Sequence, residues 1–198
     1  MIKLSRKMCY VLRHNPQSFG LTLDKNGYAD VGELIEKFNS RGEKIDKKIL
    51  TEIVLSDKKS RFSLNDEKNK IRANYGHSFA VDLGLKQLCP PSVLYHGTTE
   101  RNAGSISKSG LHKAKRNYVH LTEDIFAAIN VGQRRGNPVV FKVDSGKMFK
   151  DGYVFYKSGG SVDGGIDSGM DINEPNRGAV WLTDNVPKEY LSLYASQE

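Results

Sequence analysis

Apolar positions at helical spacing predict three helices in the first half of the chain. Those of the first helix are Leu4, Met8, Val11 and Leu12. This helix is predicted to end near His14, because Asn15-Pro16 disfavours its continuation. Asp30 and Asp46 each precede a further apolar stripe and are predicted N-caps, and Gly42 is the predicted stop between them.

The pattern then changes to that of a β-hairpin. Residues 61–64 and 70–73 flank the polar run 65–69, as two strands flank a turn. Three helices followed by a hairpin is the element order of a winged helix, a fold often used to bind nucleic acid. Winged helices also serve as plain interaction modules, so the order alone leaves the partner open.

The second half of the chain predicts short strands with little helix. Residues 83–92, with Pro90-Pro91, are a candidate linker, so we predict domains at 1–88 and 92–198. The predicted elements are strands at 93–95, 118–121, 138–143, 153–156 and 179–182, and helices at 101–107 and, capped by Thr122, at 126–131. This pattern is typical of a compact mixed sheet, and the fold class predicted for the whole chain is α+β.

Charge is unevenly distributed along the sequence. The 198 residues carry 30 Lys and Arg against 23 Asp and Glu, a formal charge of +7. Residues 1–90 hold +6 of this charge and residues 91–198 hold +1. A polyanion is therefore expected to bind the first half, although net charge also serves solubility alone.

Several familiar kinds of site are absent from the sequence. No G-x-G-x-x-G follows a strand and no G-x-x-x-x-G-K-[ST] occurs, so neither a Rossmann fold nor a P-loop is expected. The five histidines lack metal-ligand spacing and the two cysteines are too few for a four-thiolate zinc site, so we expect no metal. Without a bilayer-length apolar run or a signal peptide, we expect a cytoplasmic protein with no membrane partner.

Four short segments carry residues suited to phosphate or nucleotide chemistry. They are Arg13-His14, Ile71-Arg72-Ala73, His96-Gly97-Thr98-Thr99 and Arg134-Arg135. An arginine held at the end of a helix or strand presents a fork of donors that matches a phosphate. Glycine lets a ligand approach the backbone closely. Each segment alone also fits a plainer interpretation, namely a solvated arginine, a cation favoured by the helix dipole, or a strand-end turn.

Taken in order along the chain, these segments resemble the RNA 2′-phosphotransferase family (tRNA 2′-phosphotransferase, KptA-like). The matching motifs are Leu12-Arg13-His14, Ile71-Arg72-Ala73 with Gly76-His77-Ser78, Tyr95-His96-Gly97-Thr98, Asn117-Tyr118-Val119-His120-Leu121, Val131-Gly132-Gln133-Arg134 and Val180-Trp181-Leu182-Thr183. Each motif is weak by itself. Their order over nearly the whole chain makes the resemblance specific.

The resemblance implies an N-terminal winged-helix lobe for RNA and a C-terminal ADP-ribosyltransferase-type lobe for NAD, with the active site in the cleft between them. It also implies NAD-dependent removal of an internal RNA 2′-phosphate. The phosphate attacks C1″ of the nicotinamide ribose and expels nicotinamide, which gives an ADP-ribosylated 2′-phospho-RNA intermediate. The ribose 2″-hydroxyl then attacks the phosphate and releases 2′-OH RNA and ADP-ribose 1″,2″-cyclic phosphate.

The family's motifs also imply roles for the residues at matching positions. The catalytic set is Arg13, His14, Arg72 and Arg134. The NAD-binding set is His96, Gly97, Thr98, Gly110, Arg116 and His120. The residues expected to contact RNA phosphate or to support the site are Asn74, His77 and Ser78. Because the RNA phosphate is itself the nucleophile, the protein needs to supply positioning and charge stabilisation, and His14 is our hypothesis for the acid that protonates the departing 2′-oxygen.

Some positions depart from the family's pattern. Tyr75 stands where the family commonly has glutamine, Arg135 stands where it often has histidine, and segment 158–178 is richer in Gly and Asp. Two alternatives stay open: an ADP-ribosyltransferase acting on terminal phosphates of nucleic acid or on protein, and a non-catalytic RNA-binding module. We expect a monomer that binds tRNA-like RNA, and the sequence does not decide whether tRNA splicing supplies the 2′-phosphate.

Overall fold

Two units, each with its own hydrophobic core, make up the part of the chain that the structure describes. A computed structural model describes residues 1–158 and 180–194. The first unit comprises residues 1–85, and the second comprises residues 86–158 and 180–194. The Gly- and Asp-rich segment 158–178, apart from Ser158, lies outside the described residues.

The first unit contains three helices and three strands. They are α1 (Ile2–His14), β1 (Tyr28–Asp30), α2 (Val31–Asn39), α3 (Lys47–Leu55), β2 (Phe62–Leu64) and β3 (Lys70–Ala73). The strands form an antiparallel sheet in the order β1-β3-β2, in which Arg72 pairs with Tyr28 on one side and Ser63 on the other. The three helices and the hairpin confirm the prediction from the sequence, whereas β1 was not predicted.

Capping and packing explain the bounds of these helices. The predicted apolar positions of α1 are all buried, and Pro16 begins a short 3₁₀ turn directly after the helix. Asp30 and Asp46 cap α2 and α3 as predicted, because their carboxylates accept the N–H groups of Glu33 and Ile49.

The second helix ends earlier than predicted. It stops at Asn39, three residues before Gly42. The Asn39 side chain accepts the Ile45 N–H and donates to the Ile45 carbonyl, both at 2.9 Å. These bonds stabilise a loop over residues 40–45 in place of another helical turn.

The second unit combines three helices with eight short strands. They are β4 (Leu94–Thr99), α4 (Glu100–Ser109), β5 (Leu111–His112), β6 (Val119–Leu121), α5 (Ile125–Gln133), β7 (Pro138–Val143), α6 (Ser145–Lys150), β8 (Tyr156–Ser158), β9 (Val180–Thr183), β10 (Asn185–Val186) and β11 (Leu191–Leu193). The sheets have the orders β11-β7-β4, β6-β9-β8 and β10-β5. Every strand pair within the described residues is antiparallel, so the expectation of a mixed sheet was wrong. Apolar periodicity identifies strands but does not fix their direction.

The most important local difference concerns β4. The strand predicted at 93–95 was expected to end before His96-Gly97-Thr98-Thr99, but β4 runs through this segment to Thr99. Its residues pair with β7, for example Gly97 with Val140. Pairing with a neighbouring strand outweighs the low strand propensity of glycine.

Two smaller predictions also need correction. Asp124, not Thr122, caps α5, because the Asp124 carboxylate accepts the Phe126 N–H at 2.8 Å while Thr122 Oγ1 accepts the N–H of Asp124. The strand predicted at 153–156 is displaced to Tyr156–Ser158, where it pairs with β9. Helix α6 was not predicted.

None of the helices in residues 1–158 and 180–194 is both long and apolar enough to cross a membrane.

Candidate functional site

In the first unit, the end of α1 is joined to the turn at residues 75–78. The Ser78 N–H donates to the Arg13 carbonyl at 3.0 Å, which satisfies a carbonyl left open at the helix end. The Ser78 hydroxyl lies 3.1 Å from His14 Nδ1. Gly76 has φ +86°, and a Cβ there would lie 3.5 Å from the Arg13 guanidinium. The structure thus brings together Arg13-His14 and Gly76-His77-Ser78, which are distant in sequence.

Arg13 is held against the ring of Tyr75. Its guanidinium carbon lies 4.6 Å from the ring centroid, a cation–π arrangement. The Tyr75 hydroxyl donates to the Lys59 carbonyl at 2.8 Å, which fixes the ring. Nε and Nη2 of Arg13 are buried and have no hydrogen-bond partner in the part of the chain that the structure describes. The position that departs from the family's glutamine therefore supports a predicted catalytic arginine.

Arg72 is held in a similar way on β3. It is 8% exposed, and its guanidinium carbon lies 4.7 Å from the centroid of the Tyr28 ring. Nη1 lies 3.5 Å from the Asn26 carbonyl and 3.4 Å from the Leu83 carbonyl, which are long for hydrogen bonds. Nε has no partner among the described residues. The sequence did not reveal Tyr28, because its place opposite Arg72 depends on the pairing of β1 with β3.

Within the described residues, 1–158 and 180–194, no carboxylate forms an ion pair with either arginine, Arg13 or Arg72. Burying unpaired donors of a charged group costs free energy, which a bound anion would offset. The first unit therefore presents two guanidinium groups with donors suited to an anion.

His77 is a buried, neutral side chain close to both arginines. It is 1% exposed, and neither ring nitrogen has a hydrogen-bond partner among the described residues. Burial lowers the pKa of its imidazole to about 4. The positive charges of Arg13, His14 and Arg72 act in the same direction. The position of His77 is that of a support, not of a group that faces solvent.

Asn74 joins the end of β3 to the preceding loop. It is 8% exposed, and its side-chain amide donates to the Ser60 carbonyl at 2.8 Å. Its backbone N–H donates to the Arg61 carbonyl at 2.9 Å. Like His77, Asn74 occupies a supporting position, whereas the hydroxyl of Ser78 is within reach of His14.

In the second unit, His96 presents one nitrogen as a hydrogen-bond acceptor. Its Nδ1 lies 3.0 Å from the His120 carbonyl, and since a carbonyl only accepts, we assign the proton to Nδ1. Burial lowers the pKa of His96, although the bond to His120 opposes this shift. The imidazole is therefore neutral at pH 7, and Nε2 can accept a hydroxyl donor.

Two glycines bring β4 and α5 into backbone contact. A Cβ on Gly97 would lie 1.8 Å from the Ala128 carbonyl oxygen, and one on Gly132 would lie 2.3 Å from that of Thr98. Arg134 follows the end of α5 as its exposed C-cap residue. The sequence did not reveal this contact. It fixes the position of the Arg134 backbone relative to the predicted NAD-binding segment on β4.

The backbone of Gly97 offers a donor and an acceptor side by side. The Tyr95 N–H and C=O bond to Thr122 at 2.8 and 3.0 Å, on the side of β4 away from β7. Backbone groups alternate along a strand, so those of Gly97 point to the same side as those of Tyr95. No backbone hydrogen bond on that side involves Gly97 within the described residues.

The other predicted NAD-binding residues have defined surroundings in the same unit. Thr98 is 8% exposed, and its hydroxyl lies 3.4 Å from the side-chain amide of Asn102. Arg116 Nη1 lies 3.4 Å from His120 Nδ1. Gly110 has φ +84°, and a Cβ there would lie 2.4 Å from the Val186 carbonyl oxygen, so close packing already explains this glycine.

Comparison with known proteins shows the family. A family model described as "RNA 2'-phosphotransferase, Tpt1 / KptA family" matches residues 1–162. The chain belongs to this family. A "Probable RNA 2'-phosphotransferase" of Flavobacterium johnsoniae is 43% identical over 190 residues, which cover 96% of this chain and 94% of that protein. One of Fusobacterium nucleatum is 41% identical over 193 residues, covering 97% and 98%.

Membership of the RNA 2′-phosphotransferase family confirms the resemblance that the motifs indicated. A further relative with the same name, from Agrobacterium fabrum, is 43% identical over 191 residues, covering 96% of this chain and 93% of that protein. The family supports a phosphotransferase enzyme. The roles assigned above to individual residues, and the use of NAD, stay predictions.

Proposed function

We propose that the protein removes an internal 2′-phosphate from RNA and uses NAD as the co-substrate. One oxygen of the RNA phosphate attacks C1″ of the nicotinamide ribose, and nicotinamide leaves with the electrons of the broken C–N bond. The ribose 2″-hydroxyl then attacks phosphorus, and the bond to the RNA 2′-oxygen breaks as that oxygen takes up a proton. The products are 2′-OH RNA, ADP-ribose 1″,2″-cyclic phosphate and nicotinamide.

The observation that carries this proposal is the pair of arginines in the first unit. Arg13 and Arg72 keep buried donors without partners, and no carboxylate competes for either among the described residues. Both steps redistribute negative charge on a single phosphate. Preorganised donors aimed at such charge are usually worth about 3–4 kcal/mol each in transition-state stabilisation.

His14 is suited to the proton transfer of the second step. It follows Arg13 at the end of α1, and Ser78 Oγ lies 3.1 Å from its Nδ1, which orients the ring. A general acid must hold its proton at the start of the step, so activity falls as pH rises through its pKa. We expect His14→Asn to lose this basic limb of the pH–rate profile, and an unchanged limb would contradict the role.

The second unit fits the nicotinamide end of NAD. A carboxamide needs one donor and one acceptor, which the N–H and C=O of Gly97 match on the side of β4 away from β7. His96 Nε2 is placed as an acceptor for a ribose hydroxyl on the same strand. NAD supplies the electrophilic ribose carbon, and the chain's own residues bind and orient the two reacting groups.

The test is incubation of an oligonucleotide bearing one internal 2′-phosphate, with and without NAD, with both products resolved. We expect 2′-OH RNA and the cyclic phosphate of ADP-ribose to appear together and only with NAD. A stably ADP-ribosylated acceptor would instead indicate an ADP-ribosyltransferase that stops after the first step. RNA binding without measurable NAD affinity would indicate a non-catalytic module.

A further inference from the structure

One face of α1 is basic and aromatic along its whole length. Its exposed members Lys3, Arg6, Tyr10 and His14 follow one another at spacings of three or four residues, so they share a face. The opposite face is the buried apolar one. Lys3 and His14 lie about 16 Å apart along the helix axis, at a rise of 1.5 Å per residue.

Hydrogen bonds and ion pairs within the described residues do not explain the outer charges of this face. No hydrogen bond or ion pair within the described residues involves Lys3 or Arg6. Lys3 lies in the first helical turn, where the helix dipole opposes a cation. Tyr10 is 53% exposed, and among the described residues its ring lies near that of His14, with the centroids 6.0 Å apart.

Helix α1 contains no acidic residue, unlike α2 and α3. The ion pair that α1 forms within the described residues is that of Lys7 with Glu43, at 2.6 Å. That hydrogen bond, aided by the charge of Lys3, lowers the pKa of Glu43, so Glu43 stays ionised and paired with Lys7.

We propose that Lys3, Arg6 and Tyr10, which we call the α1 stripe, bind the RNA strand beside the 2′-phosphate. Two cations along a helix suit successive backbone phosphates, and an exposed aromatic ring suits a stacked base. The α1 stripe lies on the same helix as Arg13-His14, where the proposed function places the 2′-phosphate. The inference rests on that function only in taking RNA as the substrate.

This assignment differs from the usual expectation for helix-turn-helix folds. There the second helix of the motif lies against the nucleic acid. Helix α3 does begin with two exposed lysines, Lys47 and Lys48, but it contains no aromatic residue and carries Glu52. The two lysines therefore provide a matched control of equal charge, also exposed and near a helix N-terminus.

The test measures binding of a single-stranded RNA of roughly ten nucleotides with one internal 2′-phosphate, in the absence of NAD and over a range of salt. We expect Lys3→Gln/Arg6→Gln to weaken binding about tenfold or more at 0.1 M salt. It should also reduce the slope of log K against log salt by about 0.7 for each RNA phosphate that the variant no longer neutralises. Lys47→Gln/Lys48→Gln should change neither quantity.

Tyr10 is tested by a second pair of variants. We expect Tyr10→Ser to weaken binding about 5- to 100-fold with little change in the salt slope, because stacking carries no charge. Tyr10→Phe should bind like the wild type. Melting temperatures close to that of the wild type would show that each variant is folded.

The outcomes separate this inference from the proposed function. Equal losses of RNA affinity in the α1 and α3 double variants, or an unchanged salt slope in the α1 variant, would contradict RNA binding by the α1 stripe. Wild-type protein that binds this RNA through the stripe but leaves its 2′-phosphate in place with NAD would contradict the proposed function alone. Turnover by the wild type together with unaltered RNA binding by Lys3→Gln/Arg6→Gln would contradict the stripe alone.

Discussion

Within the described residues, tyrosine rings and not carboxylates hold the two predicted catalytic arginines of the first unit. Arg13 lies on Tyr75 and Arg72 on Tyr28. A carboxylate would neutralise the guanidinium and compete with a phosphate, as Asp57 does for Arg61 at 2.6 Å. An aromatic face fixes the guanidinium plane and leaves its charge and its edge donors for a ligand.

The stack of Arg13 on Tyr75 predicts a graded effect of substitution. We expect Tyr75→Leu to lower kcat/KM for a 2′-phosphorylated oligonucleotide about tenfold, since a buried cation–π contact is worth about 1–2 kcal/mol. Tyr75→Phe keeps the ring and should stay within about threefold of the wild type. A loss in Tyr75→Phe as large as that in Tyr75→Leu would show that the hydroxyl bond to Lys59 matters more than the ring.

The buried His77 predicts a pH dependence of stability. Burial lowers its pKa from 6.5 to about 4, so the unfolded chain binds the proton more tightly and stability falls as pH drops from 6.5 towards 4. Between pH 7 and pH 5 this group alone should cost about 2 kcal/mol of unfolding free energy. Urea unfolding at the two pH values measures the loss.

The matched variant for this measurement is His77→Gln. Its stability should fall less between pH 7 and pH 5 than that of the wild type, because Gln does not titrate. Arg13, His14 and Arg72 face position 77 in both proteins, so the two proteins differ in the side chain at that position alone. Equal losses in the two proteins would show that His77 does not account for the pH dependence.

At the scale of elements, α5 and β4 of the second unit are packed backbone to backbone. Gly97 and Gly132 each face a carbonyl oxygen of the other element, with no room for a side chain. The contact places the end of α5, and with it Arg134, beside the strand that carries His96. It requires a glycine in each of two elements more than thirty residues apart, which neither segment shows by itself.

This packing predicts opposite effects of the same substitution at two glycines. Gly97→Ala should destabilise the second unit by about 1–3 kcal/mol or more, because the backbone of α5 must move. Gly104→Ala, on the exposed side of α4 with open space around it, should stabilise by about 0.5–1 kcal/mol. Urea unfolding followed by the fluorescence of Trp181, the single tryptophan, measures both. Equal effects of the two substitutions would contradict the close contact.

At the scale of the whole molecule, two separate cores support two sets of functional residues. The first core is built from residues between positions 4 and 73, and the second from residues within 94–155 and 181–186. Arg13, His14 and Arg72 belong to the first unit and Arg134 to the second. The proposed function requires residues from both units to act in one reaction.

A double-mutant cycle tests this requirement. Arg72→Ala and Arg134→Ala should each lower kcat/KM about 100- to 1000-fold, and the double variant should lose less than the product of the two. Losses that multiply fully would contradict joint action on one phosphate. Arg41→Ala is the control, because Arg41 also stacks on a ring, that of Phe19, and bonds to carbonyls, but belongs to no predicted site.

The sequence by itself determined the local elements and the family. The helix spacing in α1, the caps Asp30 and Asp46, and the strand at Pro138–Val143 are properties of short segments, and the structure confirms them. The order of the motifs identified the family, which comparison with known proteins confirms. For the local elements neighbouring residues carry the whole signal, whereas for the family the signal is the order of the motifs along the chain.

Tertiary structure alone decided how the side chains of these motifs are held. The contacts of Arg72 with Tyr28 and of Gly97 with Ala128 depend on strand register and helix packing between distant segments. The same holds for β4, which pairing with β7 extends through Gly97. Local periodicity carries no information about such partners, because the free energy that selects them arises only when distant segments bury their surfaces against each other.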